Sequence, residues 1–224
     1  EVERLCDDEG IPADRIAVFY RTNSMSRVLE DTLVRFDRPY QVVGGTRFYD
    51  RAEIKDAIAY LQYLNNPADS VAFSRIVNTP RRGIGNTSQS RLLSHANTTG
   101  EQIWDVAQSA ETVPGLGAAA IRAVTSFQTT MADLQFKAEK DPVAGTLEAV
   151  LQDSGYMEAL EAERTIEAEG RLENLQELVS VAADFDANRA IEGETAVAPL
   201  EEFLQQIGPS LRERGLSDTQ GGRQ

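Results

Sequence analysis

The chain has 224 residues, of which 41% are hydrophobic and 7% aromatic, enough for one large domain or two small ones and weighted towards helix over a β-rich sandwich. The lack of any run of eighteen apolar residues excludes a membrane-spanning helix, and a single cysteine and a single histidine exclude an internal disulfide and a His/Cys metal cluster. The net charge of −14 argues at first sight against a nucleic-acid partner, but residues 1–100 are neutral and the deficit lies wholly in the remainder.

The opening Glu1-Val2-Glu3 has neither the basic nor the apolar region of a signal peptide, so a cytoplasmic setting is expected. Residues 16–20 (Ile-Ala-Val-Phe-Tyr) form a continuous apolar run of the kind found in buried parallel strands. Met25, Val28, Leu29, Leu33 and Phe36 follow at helical spacing, and Tyr40 to Val43 gives a second strand closed by Gly44-Gly45. Strand, helix and strand in about thirty residues predict a βαβ unit, whose two strands need a larger sheet to be stable.

Beyond the glycines the pattern is helical. Asp50-x-x-Glu53 has the form of a capping box ahead of Ile54, Ile58, Leu61 and Leu64, with Asn66-Pro67 as the stop. Asp69 is placed to cap a short helix bearing Val71, Phe73, Ile76 and Val77. Residues 70–100 contain no acid and four arginines, Arg75, Arg81, Arg82 and Arg91, a local excess of positive charge that suits a polyanion. Asn86 and Thr87 are candidate caps for a helix through Leu92 and Leu93. Further helices are expected near 101–109, 116–139 and 142–153, the last with Asp141 as cap and Pro142 in its first turn. A long one is expected over roughly 156–186, with Gly170 as its weak point, and a short one over 199–207. Residues 208–224 lack an apolar face and are expected to be mobile.

Three constellations bear on chemistry. Tyr20-Arg21 closes the first predicted strand, the end of an open α/β sheet at which ligands bind; a ring there can stack on a base and a guanidinium can clasp a phosphate. Arg81-Arg82-Gly83-Ile84-Gly85-Asn86-Thr87 combines glycines that permit a tight turn, an apolar anchor, arginines and the unpaired amides of a helix start. That is the logic of a helix-hairpin-helix module, which grips the DNA backbone without reading sequence. The carboxylates and arginines between Glu161 and Asn174 suit a solvated helix face with pairs such as Glu167–Arg171. No Gly-x-x-x-x-Gly-Lys-Ser/Thr is present, and none of the lysines (Lys55, Lys137, Lys140) follows a glycine, so ATP hydrolysis by this chain alone is not expected.

Four segments, in one collinear order over residues 11–207, resemble the UvrD/PcrA/Rep type of superfamily 1 DNA helicases. Ile16-Ala-Val-Phe-Tyr-Arg-Thr-Asn-Ser-Met-Ser-Arg27 resembles helicase motif IV, and Gly44-Gly-Thr-Arg-Phe-Tyr-Asp-Arg-Ala-Glu-Ile-Lys-Asp56 the segment after it. Asn78-Thr-Pro-Arg-Arg-Gly-Ile-Gly85 is similar to the entry into helical subdomain 2B, and Arg171-Leu-Glu-Asn-Leu-Gln-Glu-Leu178 to a helix inside it. The resemblance implies a mainly α fragment. Residues 1–80 would be part of a RecA-like subdomain 2A, incomplete and βαβ in form; 81–207 would be all-helical subdomain 2B with a helix-hairpin-helix-like turn; 208–224 would be a mobile tail.

It further implies an ATP-dependent 3′ to 5′ DNA helicase acting in repair or replication, a P-loop NTPase of which this piece is inactive alone. Tyr20 would stack on adenine and Arg21 meet the γ-phosphate. Arg81, Arg82, Gly83, Ile84, Gly85, Asn86 and Thr87 would meet duplex DNA at the fork, while single-stranded DNA would run through the missing motor domain. ATP and Mg²⁺ would serve the parent enzyme, with no cofactor expected on the fragment; repair proteins are the expected protein partners, and no membrane is. Two other readings remain beside it: a stand-alone helix-hairpin-helix DNA-binding protein, and a helical scaffold docking partners through acidic residues 139–194.

Overall fold

The computed structural model describes residues 1–20, 25–42, 47–192 and 197–212. Ten α-helices cover most of them: α1 Ser26–Arg35, α2 Ala52–Asn65, α3 Ser70–Ile76, α4 Asn86–Thr99, α5 Ile103–Gln108, α6 Ala118–Ala138, α7 Val143–Asp153, α8 Tyr156–Glu163, α9 Ile166–Glu192 and α10 Pro199–Arg212. The fold is mainly α, and no helix among the described residues is long and apolar enough to cross a membrane.

The expected βαβ unit does not form. Of its three elements only the helix, α1, is present, and neither residues 16–20 nor 40–42 carry a strand. Val43, Gly44 and Gly45 lie outside the described residues. The physical reason is the missing sheet: a strand is held by ladder partners and by a face to pack on, and two short strands supply neither. Phe19, read from sequence as a core residue, is accordingly 94% exposed and Val18 48%.

From Phe48 onward most of the apolar pattern is satisfied, although Val71, expected on the apolar face of α3, is exposed, as are Phe136, Ile166 and Ile191. One cluster of buried residues runs from Phe48 to Ile207. α2 lies at its centre, in contact with α3, α6, α7, α9 and α10, and is buried nearly all round rather than on the single face that its sequence suggests. Tyr63 of α2 packs among Phe73, Trp104 and Phe127 with ring centroids 5.6, 5.0 and 6.3 Å away. Tyr156 of α8 donates to Asp56 Oδ2 at 2.8 Å, and Arg75 Nε meets Asp56 Oδ1 at 2.6 Å, tying α8, α2 and α3 together.

Several helix boundaries have causes that the sequence hides. Asp69 caps α3 as expected, accepting from the amides of Val71 and Ala72. The capping box at Asp50 and Glu53 does not form: Asp50 pairs with Lys55, and Glu53 turns inward to accept from Asn174. α7 is capped not by Asp141 but by Asp186 of α9, whose two carboxylate oxygens accept from Val143 N at 3.1 Å and Ala144 N at 2.9 Å. The long helix expected over 156–186 is broken at Arg164, which sits at φ 50°, and restarts with Thr165 Oγ1 accepting from Ala168 N. Gly170, the expected weak point, lies inside α9. On that surface Arg171 meets Glu163 at 3.6 Å in place of Glu167. α10 runs past 207 to Arg212, and residues 213–224 lie outside the described residues.

Candidate nucleic-acid interface

The turn between α3 and α4 is built around Asn78. Its Oδ1 accepts from Arg82 N at 2.8 Å and from Ile84 N at 3.1 Å, closing the loop onto the end of α3. Gly83 takes φ +81°, a left-handed conformation that costs glycine little. Ile84 is 0% exposed and anchors the bend in the core, while Gln89 Nε2 donates back to its carbonyl at 3.0 Å. Gly85, at φ −73° and ψ 169°, is the N-cap of α4 and accepts from Ser88 N and Gln89 N.

Apart from Ile84 and Arg82, the residues of the tip face outward. Arg81, Gly83, Gly85, Asn86 and Thr87 are exposed. The amides of Gly83, Gly85, Asn86 and Thr87 have no acceptor among the described residues. Asn86 and Thr87, expected as caps, occupy the first two helical positions and make no side-chain cap bond. The result is a convex turn with outward N–H groups at a helix start, an arrangement that favours an anionic oxygen.

The basic stretch behaves differently from its composition. Arg75 is held by Asp56 and the Ala52 carbonyl. Arg91 donates to the Gly115 carbonyl. Arg82 is half-buried and turned inward: Nη1 donates to the carbonyls of Ile76 (3.0 Å) and Pro80 (3.2 Å), and Nη2 to Tyr60 Oη (2.7 Å) and the Ser154 carbonyl (2.8 Å). The Phe127 ring lies 5.2 Å from its guanidinium carbon, and Tyr60 Oη donates in turn to Thr79 O at 2.6 Å. Burial raises the Tyr60 pKa above its ordinary value, with the Arg82 charge opposing that rise. Arg82 is therefore a brace for the turn, fixing its two sides to α2 and to the end of α7. Of the four arginines, Arg81 alone has no hydrogen bond or ion pair among the described residues.

The second predicted site is only partly described. Tyr20 is half-buried, and Arg21 lies outside the described residues. Tyr20 is close enough to Arg51 for its charge to act on that guanidinium, whose pKa burial lowers and whose neighbours Glu30, Glu53 and Tyr20 raise.

Arg51 belongs to a buried polar cluster absent from the sequence reading. Arg51 is 7% and Asn174 5% exposed, and they join through Nη1 and Oδ1 at 2.7 Å; Ser26, Glu30 and Glu53 are buried beside them. The one signal in the sequence was Asn174 itself, a polar residue between Leu172, Leu175 and Leu178 on the core face of α9.

The chain is 41% identical over 210 residues to the ATP-dependent DNA helicase UvrD1 of Mycobacterium tuberculosis (strain ATCC 25618 / H37Rv), a match covering 93% of this chain and 27% of that protein. It is 41% identical over 208 residues to the ATP-dependent DNA helicase PcrA of Bacillus subtilis (strain 168), covering 91% of this chain and 28% of the relative. For PcrA of Leuconostoc citreum the identity is 36% over 203 residues, covering 91% and 27%. The chain thus spans about a quarter of the length of the curated relatives it matches. The model of the UvrD-like helicase C-terminal domain matches residues 1–221, nearly the whole sequence, and the chain belongs to that family.

Proposed function

We propose that this chain is the part of an ATP-dependent 3′ to 5′ DNA helicase that touches duplex DNA ahead of the fork and supplies one edge of the ATP site. Residues 1–80 correspond in this reading to subdomain 2A and 81–207 to subdomain 2B. The division is one of family correspondence, since α2 and α3 share their core with the later helices. The observation that carries the proposal is the outward-facing turn, with Arg81 and the amides of Gly83, Gly85, Asn86 and Thr87 on one exposed tip. Contacts of this kind engage phosphates of any sequence, as a translocating enzyme requires.

ATP with Mg²⁺ supplies the phosphoryl chemistry when bound. In this reading Tyr20, half-buried within electrostatic reach of Arg51, stacks on the adenine base, and Arg21, the next residue in sequence, meets the γ-phosphate. The sequence holds no P-loop, so turnover belongs to the whole protein and the isolated chain is inactive. Single-stranded DNA and repair proteins are then engaged by the parent enzyme.

Arg81 and Arg82 separate binding from bracing. In fluorescence anisotropy with a short duplex at low salt, Arg81→Ala should weaken binding and flatten the log K against log salt slope by about 0.9, one phosphate's worth. Arg82→Ala should instead destabilise the fold by about 2–3 kcal/mol, because it strips donors from half-buried carbonyls. An unchanged slope in Arg81→Ala would remove the turn from the DNA interface.

A further inference from the structure

Within the helical body, a phenol on α2 meets the α3–α4 turn from below. Tyr60 is 0% exposed. Its Oη accepts from Arg82 Nη2 at 2.7 Å and donates to Thr79 O at 2.6 Å, so its proton and a lone pair are both committed to the approach to the turn. Asp56, one helical turn earlier on the same face of α2, makes a neighbouring tie. It accepts from Tyr156 Oη at 2.8 Å and pairs with Arg75 Nε at 2.6 Å. Two buried phenols thus lie in one polar seam between α2, α3 and the α7–α8 corner, and of the two Tyr60 is the one bonded to the arginine of the turn.

Hydrogen bonds rather than close packing set the direction of Arg82. No carboxylate pairs with it among the described residues; its acceptors are the carbonyls of Ile76, Pro80 and Ser154 and the Tyr60 hydroxyl. The Phe127 ring covers one side of the guanidinium. Beside it lies a cavity of about 240 Å³ lined by Tyr60, Arg82, Thr130, Met131, Asp153 and Ser154, with the Asp153 carboxylate drawn to Lys137 at 2.7 Å. A void supplies no contacts, so nothing on that side opposes a swing of the side chain once its bonds are cut. Arg81 and Arg82 are consecutive, and the Arg82 amide is closed onto Asn78, so holding one side chain inward aims the other outward.

We propose that Tyr60 is a positioning residue of the α3–α4 turn: by tying Arg82 and Thr79 to α2, it aims Arg81 and the outward amides of Gly83, Gly85, Asn86 and Thr87 at a phosphate without touching DNA itself. The phosphate at the end of that chain rests on the function proposed above; the anchoring of the turn does not. In Tyr60→Phe the ring keeps its packing, and the polar cavity admits a water to the Thr79 carbonyl, so the fold survives while Arg82 gains freedom.

Tyr60→Phe is compared with Tyr156→Phe, which also deletes a buried phenol hydroxyl from the seam but leaves Arg82 untouched. Fluorescence anisotropy with a short duplex is read where urea unfolding shows both variants folded. Binding should weaken by about fivefold in Tyr60→Phe, the worth of one hydrogen bond, and by less than about twofold in Tyr156→Phe. The slope of log K against log salt should flatten in Tyr60→Phe, as in Arg81→Ala, and hold in Tyr156→Phe. Amide exchange at Arg82 and Ile84, whose N–H groups bond Asn78, should rise by about tenfold in Tyr60→Phe alone. A purely structural role would lower the stability of both variants and leave each slope as in the natural chain. If Arg81→Ala flattens the slope and Tyr60→Phe does not, or if both phenol variants flatten it alike, the positioning role is overturned whatever the affinities do. If Arg81→Ala leaves the slope unchanged, the DNA reading is sunk and exchange decides alone. A rise confined to Tyr60→Phe then leaves the anchor standing, and a rise in neither variant or in both removes it.

Discussion

In the α3–α4 turn, residues of one type two or fewer positions apart are under different constraints. Gly83 is needed for its backbone: at φ +81° a side chain is strained, although nothing lies within 4 Å of an added Cβ. Gly83→Ala should therefore cost about 1–2 kcal/mol by conformation alone. Gly85 has ordinary dihedrals and open space around it. Gly85→Ser should stabilise the chain by about 0.5 kcal/mol, because the hydroxyl can accept from an amide in the first turn of α4. The same substitution should weaken duplex binding, since that amide is then occupied. Urea unfolding paired with anisotropy tests both; a stabilised Gly85→Ser with full DNA affinity would show that the helix start does not touch the phosphate. The glycines and the buried Ile84 were legible in the sequence, because a turn needs them locally. The inward turn of Arg82 was not, since one of the carbonyls it satisfies belongs to Ser154, 72 positions along the chain.

Among elements, α7 shows how far a boundary can be set from its own sequence. Asp141-Pro142 reads as a self-contained start, yet the carboxylate bound to the Val143 and Ala144 amides comes from Asp186. Asp186→Ala should cost about 1–2 kcal/mol through the lost cap, and Asp141→Ala less than about 0.5. Urea midpoints decide it, and the reverse ranking would return the cap to Asp141. The same contrast runs through the fold. Helices with a strong local signal, α3 with Asp69 and α6 with Val124, Phe127, Met131 and Leu134, stand where periodicity puts them. The break at Arg164 was hidden, because a run of good helix formers continues through it and only the backbone turns. The predicted strands failed for the opposite reason: residues 16–20 have the right composition, but a strand is a property of its neighbours, and none is present among the described residues.

At the scale of the whole molecule, stability rests on one core that is rich in phenols. Tyr49, Tyr60, Tyr63 and Tyr156 are all buried, and in each burial is the largest influence and raises the pKa above the ordinary value of 10.0. A folded-state pKa above the unfolded one means that the fold favours the neutral phenol. That contribution is fully present below pH 10 and is lost as pH rises from there towards the folded-state values. Ionisation also adds negative charge to a chain already at −14, so self-repulsion acts in the same direction. Helical circular dichroism should therefore collapse cooperatively just above pH 10, together with a step in phenolate absorbance. Tyr63→Phe separates the two roles of its hydroxyl. It removes the 3.2 Å bond to Gln128 Oε1, whose amide nitrogen has no partner among the described residues, at a cost of about 1 kcal/mol near neutral pH. It also removes one of the groups that must ionise, so the drop in stability between neutral pH and the alkaline transition should be smaller than in the natural chain. Phenolate absorbance that grows smoothly while helicity persists would show these tyrosines to be reached by solvent, and the tightly packed surroundings of α2 would then have to be looser than the ring contacts of Tyr63 imply.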